Sequence, residues 1–358
     1  MPDMRKREES EYPVAVFDIG GTWFRSAVLM PDGKLLHLRK FPAINYLYFP
    51  ADRPQVLQSR LVDFLLQEVA RFSHVLESPL RSAAISLGAA LNARTGLVLN
   101  SGPLWGPDCG EFDLLAALRR HDSNTSWQLW NDITANLLYH STAPGFEQHA
   151  KLALITVSTG IGMRTFERSG PTVPVDRDHG VQGEIGHLPV NFLLCGKRLE
   201  LNCDCGGKNH LNAFCSGRGI GRVLEYAAGV LETPGAQWMD ELRLACSEEE
   251  RKKVFTAAVG RGETSAVQVL RCFTRPLAEV LTWLFTIDPA IDRVIFTGGV
   301  VESLGESYME SLLNNALDLG LYQVTNRDPA YFCRRVVMAA TEDRTALIGA
   351  GSFISMES

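Results

Sequence analysis

Asp18 stands after a short β-rich apolar run, Val14-Ala15-Val16-Phe17, and just before Gly20-Gly21-Thr22. Glycine lets a backbone turn tightly and approach a bound anion, so the N–H groups of such a corner can cradle a phosphate. Two more glycine corners follow strand-like runs, Thr159-Gly160-Ile161-Gly162 and Thr297-Gly298-Gly299. One such corner alone reads as an ordinary hairpin turn; three in one chain point to phosphate binding. A carboxylate beside them can hold Mg2+ through water or can merely cap its own turn, and Asp18 is open to both readings. Asp132 follows the strand-like Trp127–Trp130 and Asn131, and precedes a helical run from Ile133. An aspartate there is either a helix N-cap or a base that takes the proton of an attacking hydroxyl, its charge favoured by the positive end of the helix. Phosphoryl transfer asks mainly for position and charge neutralisation, so a weak base suffices.

None of the corners fits GxxxxGK[ST], and none is expected to open a helix as GxGxxG does, which excludes P-loop and dinucleotide-binding Rossmann chemistry. Eight cysteines in 358 residues are too sparse for a disulfide scaffold, and two of them form Cys203-Asp204-Cys205. A local metal site in a reducing compartment, the cytoplasm, fits that spacing better than a secreted framework. The net charge of −6 argues against broad, sequence-independent binding of nucleic acid. No apolar run approaches the about 18 residues that a membrane span requires. With 46% hydrophobic and 21% charged residues the chain can bury a sizeable core.

The elements that must position these residues alternate. A β-meander is expected from Val14 to Arg39, with its first corner at the glycines and a second at Pro31-Asp32-Gly33. From Arg53 to Glu77, Leu57, Leu61, Leu65, Val69, Phe72 and Leu76 recur at steps of three and four, which predicts one long amphipathic helix. Strands are expected at Ser82–Leu87, Leu152–Val157, Met163–Phe166, Arg293–Phe296 and Arg335–Ala340. Helices are expected at Asp113–Arg120, Ile133–His140, Ser216–Leu231, Ser247–Val259, Thr264–Ile287 and near Ser303–Leu319, with a last one from Asp343. The stretch 170–208 reads as loop. This order predicts an α/β protein of two lobes with a cleft between them. Its expected parts are a disordered leader at 1–13, an N-terminal lobe at 14–137 with a C-terminal helix at about 341–356 packing back on it, and a C-terminal lobe at 138–340.

Taken in order, Asp18-Ile-Gly-Gly-Thr22, Asn131-Asp132, Ser158-Thr159-Gly160-Ile161-Gly162, Gly183-Glu184-Ile185-Gly186-His187, Cys203-x-Cys205-Gly206 and Phe296-Thr297-Gly298-Gly299-Val300 resemble the ROK (repressor, ORF, kinase) family of glucokinases and sugar repressors. The resemblance runs from about Val14 to Ile354. It implies an actin/hexokinase-like (ribonuclease H-like) two-lobed ATPase fold, a homodimer, and the use of ATP with Mg2+ and a structural Zn2+. Gly20, Gly21 and Thr22 would hold phosphates, Thr159, Gly160 and Gly162 the γ-phosphate side, and Gly298 and Gly299 the adenosine. Asp132 would be the catalytic base. Asn131, Glu184 and His187 would touch the acceptor, and His187 would also bind zinc with Cys203, Cys205 and, where the family has a third cysteine, His210. Cys195 and Cys215 are possible stand-ins for that ligand.

The acceptor side departs from the family. A glutamate of the family is Asn212 here, its Pro-Gly corner is Gly88-Ala89, an aspartate that follows is Asn92, and a sugar-binding asparagine falls at Pro103, with Asn100 able to take its place. A site loses much when a hydroxyl's partner is removed, so changed partners imply a changed substrate. The resemblance then implies a kinase for a primary hydroxymethyl on a C7-cyclitol of the valiolone type, as in antibiotic pathways. The alternatives are a hexose or amino sugar such as kanosamine or N-acetylmannosamine, and a sugar sensor without turnover. A sensor would be expected to lose Asp132 or a glycine corner. A repressor would need a helix-turn-helix domain before Asp18, where only the short charged leader is found.

Overall fold

A computed structural model of the chain describes residues 3–6, 12–106, 109–169, 173–231, 236–340 and 342–356. The chain divides into two units: Met1–Leu152 with Arg164–Gln182 and Thr341–Ser358, and Ala153–Met163 with Gly183–Ala340. The first division thus falls at Leu152 rather than 137, and the segment 164–182 returns to the first unit. Among the described residues no helix is long and apolar enough to cross a membrane.

In the first unit, β1 (Asp3–Lys6) is followed by β2 (Val14–Ile19), β3 (Trp23–Leu29), β4 (Leu35–Pro42), α1 (Pro54–Val75) and β5 (Ser82–Leu87). Short elements come next: β6 (Ala90–Leu91), β7 (Leu97–Asn100), α2 (Gly102–Trp105) and β8 (Phe112–Asp113). Then come α3 (Leu114–His121), β9 (Ser126–Asn131), α4 (Asp132–Thr142) and the start of β10 (Lys151–Val157). The main sheet has the order β4-β3-β2-β5-β9, with β2, β3 and β4 antiparallel and β2, β5 and β9 parallel.

β2 is almost wholly apolar because both faces of the sheet are covered. Ala15, Phe17 and Ile19 share a core with Leu57, Leu61 and Leu65 of α1 and with Leu114 and Leu118 of α3. The alternate residue Val16 faces α12 (Thr345–Ser352), where a Cβ on Gly351 would lie 2.6 Å from its Cγ1. α12 also packs closely on α4: a Cβ on Gly349 would fall 1.8 Å from the carbonyl oxygen of Ala135. The last element is not the continuous helix expected at 341–356. α12 stops at Ser352 and β16 (Phe353–Met356) follows, pairing antiparallel with β1. Asp3–Lys6 of the expected disordered leader is therefore a strand, while residues 1–2 and 7–11, like 170–172 and 341, lie outside the described residues.

The second sheet has the order β11-β10-β14-β15, with β14 at Arg293–Thr297 and β15 at Val336–Met338 in the second unit and β11 at Ile161–Glu167 passing from the second unit to the first after Met163. Within 183–208, expected as loop, a 3-10 turn (Ile185–His187) and the hairpin β12 (Leu193–Leu194) and β13 (Lys197–Arg198) are found. The helices are α5 (Leu211–Cys215), α6 (Gly217–Val230), α7 (Gln237–Leu244), α8 (Glu248–Gly260), α9 (Thr264–Ile287), α10 (Gly299–Leu319) and α11 (Tyr331–Arg335). α9 follows the predicted span because Val269, Leu270, Phe273, Leu277, Val280, Leu281 and Phe285 form a buried stripe at helical spacing.

Candidate active site and metal centre

In the first unit the candidate residues gather because three parallel strands end in register. Ile19 pairs with Leu87, and Leu87 with Asn131. Gly20, Gly88 and Asp132 are thus the first residues beyond the carboxyl ends of β2, β5 and β9, where open α/β sheets place their ligands. Asn131 is the N-cap of α4: its Oδ1 accepts from the N–H of Ile133 at 3.0 Å and of Thr134 at 3.4 Å. Its Nδ2 donates to the carbonyl of Ala89 at 2.9 Å. The buried amide of Asn131 is thus held in place by the backbone of Ala89, Ile133 and Thr134.

Asp132 is the first residue of α4, not its cap, and its Oδ1 accepts from the Ile133 N–H at 2.9 Å. Its Oδ2 would stand 3.5 Å from a Cβ placed on Gly88. Gly88 is itself tied down, its N–H donating to Ile19 at 3.0 Å and its carbonyl accepting from the Ser101 hydroxyl at 3.0 Å. Asn100 is exposed and its Oδ1 accepts from the Cys109 thiol at 3.4 Å. Asn92 is a turn residue, its Oδ1 accepting from the N–H groups of Arg94 and Thr95.

Asp18, the last residue but one of β2, has its Oδ2 2.8 Å from Nη1 of Arg25 and its Oδ1 3.2 Å from the Ser86 hydroxyl. Arg25 in turn donates to Asp343 at 2.5 Å. Burial pushes the Asp18 carboxyl above its ordinary value, and Arg25 and Ser86 pull against that. Sequence reasoning did not single out Arg25, although its place on β3 opposite Asp18 follows from the meander. The first corner is held by Gly20 N–H donating to Trp23 at 3.1 Å and by Asn45 donating to the Gly21 carbonyl at 2.6 Å. Thr22 is exposed.

In the second unit the corner Ser158-Thr159-Gly160 joins β10 to β11, and Gly162 is the second residue of β11. The N-terminus of α6 adjoins this corner: Gly217 N–H donates to the Ser158 carbonyl at 2.7 Å. A Cβ on Gly217 would fall 3.0 Å from that oxygen, so glycine sets the close approach. This helix start was missed as a site feature; its signal was Ser216, the N-cap, followed by Gly217 and Gly219. Asn212 Oδ1 accepts from the Ile161 N–H at 2.8 Å, and a Cβ on Gly186 would fall 2.4 Å from it, so the side chain is fixed beside the Glu184–His187 segment. Glu184, exposed, caps the 3-10 turn that ends at His187.

Gly298 has φ 103 and is the N-cap of α10, which begins at Gly299. A Cβ there would lie 2.6 Å from the Val157 carbonyl oxygen. This corner does open a helix, against expectation, because the two glycines conceal a helix start that residue propensity does not mark.

The donor atoms of His187, Cys203, Cys205 and His210 all lie within 4.8 Å of one another. Sγ of Cys203 is 3.9 Å from Nδ1 of His187, and Sγ of Cys205 is 3.2 Å from Nδ1 of His210. With Zn–S about 2.3 Å and Zn–N about 2.0 Å, tetrahedral ligands stand roughly 3.5 Å apart, so two thiolates and two imidazoles at this spacing fit zinc. Gly207 is needed here, since a Cβ would fall 2.2 Å from Cε1 of His210. Asp204, between the two thiols, is ion-paired with Arg218 and Arg222 of α6. Cys195 and Cys215 do not join this cluster: Cys195 is at the β12–β13 corner and Cys215 is buried.

The chain belongs to the ROK family, whose sequence pattern matches residues 14–356. It is 34% identical over 344 residues to a protein of Actinoplanes sp. named 2-epi-5-epi-valiolone 7-kinase, covering 95% of this chain and 92% of that one. A C(7)-cyclitol 7-kinase of Streptomyces hygroscopicus subsp. limoneus is 28% identical, covering 94% and 92%. Among solved structures, a ROK family glucokinase from Streptomyces griseus in complex with glucose and AMPPNP superimposes with a TM-score of 0.65 at 20% identity, covering 94% of this chain and 97% of that one.

Proposed function

We propose that this chain is an ATP-dependent kinase that transfers the γ-phosphate to the primary hydroxymethyl of a C7-cyclitol of the valiolone type. The register that sets Gly20, Gly88 and Asp132 after three adjacent parallel strands carries the phosphotransfer part. The likeness to two cyclitol 7-kinases along nearly the whole chain carries the choice of acceptor.

Asp132 accepts the hydroxymethyl proton as that oxygen bonds to the γ-phosphorus and the bond to the β-phosphate oxygen breaks; ADP departs and the proton stays on the carboxylate until solvent takes it. Asp18, which is paired with Arg25, would be the carboxylate that holds Mg2+, and the ion would supply charge neutralisation at the phosphates. Backbone N–H groups of Gly20, Gly21 and Thr22 bind phosphate, Thr159, Gly160 and Gly162 take the γ side, and Gly298 and Gly299 lie along the adenosine. Asn100, Asn131, Glu184, His187 and Asn212 contact acceptor hydroxyls, with Asn131 held in place by its bond to the Ala89 carbonyl. Zinc on His187, Cys203, Cys205 and His210 would supply a structural crosslink for the loop that carries Glu184. On this proposal the working form is a cytoplasmic homodimer, as the family resemblance implies.

The test is ADP release from ATP–Mg2+ over a panel of 2-epi-5-epi-valiolone, glucose, kanosamine and N-acetylmannosamine. The cyclitol should exceed each hexose by about tenfold or more in kcat/KM. Background hydrolysis with every acceptor would sink the proposal, and preference for a hexose would sink its acceptor part.

A further inference from the structure

The corner of the β12–β13 hairpin is Cys195-Gly196, and both residues have left-handed backbone, with φ 47 and φ 84. A two-residue hairpin with positive φ at both positions is the type I′ turn, for which Asn-Gly or Asp-Gly is the usual choice. Cysteine offers neither the local hydrogen bond of asparagine nor the conformational freedom of glycine. What it does offer is a sulfur, on a residue whose backbone touches a second cysteine. The Cys195 N–H donates to Sγ of Cys272 on α9 at 3.3 Å.

The pairing is built into the packing. Phe192, just before the hairpin, stacks flat on Phe214 with ring centroids 4.7 Å apart. It also packs 6.0 Å from Phe273, the neighbour of Cys272. The hairpin base is thus anchored on α5 and α9, and its tip sets the Cys195 backbone against the Cys272 sulfur. Cys195 is exposed and Cys272 half-buried, so a small oxidant has access. Neither belongs to the His187, Cys203, Cys205 and His210 cluster.

We infer that Cys195 and Cys272 form a redox-active pair that a low-molecular-weight disulfide, such as oxidised glutathione, converts to an intramolecular disulfide. The Cys195 thiol gives its proton to solvent and its sulfur bonds to one sulfur of the oxidant, whose S–S bond breaks and whose other half leaves as a thiol. Cys272 then loses its proton, bonds to Sγ of Cys195 and expels the second half as a thiol. The protein's two thiols give up two electrons, and the oxidant's disulfide becomes two thiols. The bond pins to α9 the hairpin that lies in the chain between His187 and Cys203. Partial burial, with the Cys272 sulfur alongside, pushes the Cys195 thiol up to about 11, so the exchange quickens as pH rises above neutrality.

The test uses the full-length protein as purified, incubated with oxidised glutathione at about pH 8, where thiol exchange is measurable. Remaining thiols are then alkylated and the protein is digested with trypsin without reductant. Cys195 and Cys272 are the only cysteines of tryptic peptides 178–197 and 272–293, so a crosslink between these peptides is unambiguous. The expected result is that crosslink, lost on treatment with dithiothreitol. It should be lost in Cys195→Ser and Cys272→Ser and kept in Cys246→Ser. Alkylation of both residues, a separate glutathione on each, or linkage of either to a different cysteine would overturn the inference. The native protein gives the answer without any variant, so misfolding of a serine mutant would not obscure it.

Discussion

Asp132 carries the chemistry in this proposal, and its neighbours define what replacing it would do. Asparagine keeps the size, and its Oδ1 can still accept from the Ile133 N–H as the present carboxylate does at 2.9 Å. Asp132→Asn is therefore expected to fold normally and to bind acceptor with little change in KM. It loses proton acceptance, which typically contributes about 10²–10⁴-fold, and kcat for ADP release should fall by that order. Full turnover in Asp132→Asn would remove the residue from its role. The places of Asp18 and the glycine corners at strand ends, and the grouping of the Cys203-x-Cys205 pair with His187 and His210, were legible from residue type and spacing. The tasks of Asn131 and Arg25 were not, because they depend on which backbone or side chain the sheet register brings opposite: Ala89 for one, Asp18 for the other.

Elements with long periodic runs were read closely from the sequence. α9 and β5 match their expected spans, and α1 runs from Pro54 to Val75 against an expected 53–77. The two-residue strands β6, β8, β12 and β13 were missed because a pair of residues carries no periodicity. α12 was legible as a helix but not in its packing, which depends on a glycine. At Gly349 an added methyl would meet the Ala135 backbone oxygen at 1.8 Å, and a backbone cannot swing aside as a side chain can. Gly349→Ala is expected to cost about 1–3 kcal/mol, the range for overpacking, read as a lower urea midpoint with no change in slope; an unchanged midpoint would mean that the helices part freely. The 187–210 segment combines apolar packing of Phe192, Leu194 and Leu199 with the candidate metal cluster of His187, Cys203, Cys205 and His210. Purified protein should carry about one zinc per chain, the complement of one four-ligand site. Cys203→Ser should lose it, and His210→Cys should retain it. Mass spectrometry of metal content decides this, and an undiminished zinc load in Cys203→Ser would exclude the cluster.

At the scale of the whole molecule, acid stability draws these local environments together. His140 of α4 is buried, its Nε2 lacks a hydrogen-bond partner, and its ring packs on Tyr139 and Phe146 at 5.2 and 5.9 Å between centroids. Burial lowers its pKa from the ordinary 6.5 to about 4, because the charged imidazolium is disfavoured there. A folded-state value below the unfolded one means that folding favours the neutral ring. The contribution is complete above pH 6.5 and is lost as pH falls from there towards about 4. Between pH 7 and pH 5 this loss amounts to at most about 2 kcal/mol. Asp18 works in the opposite sense: its raised carboxyl is penalised when charged, so acid relieves it as pH falls through its folded value. The acid dependence of the natural protein is therefore a net effect, and a variant must isolate the histidine. His140→Phe keeps an aromatic ring between Tyr139 and Phe146 and removes the titration. Urea unfolding at pH 7 and pH 5 should show a smaller loss of stability on acidification in His140→Phe than in the natural chain, whatever the variant's stability at pH 7. Equal losses would show that His140 is already charged in the fold, or reaches water before the chain unfolds.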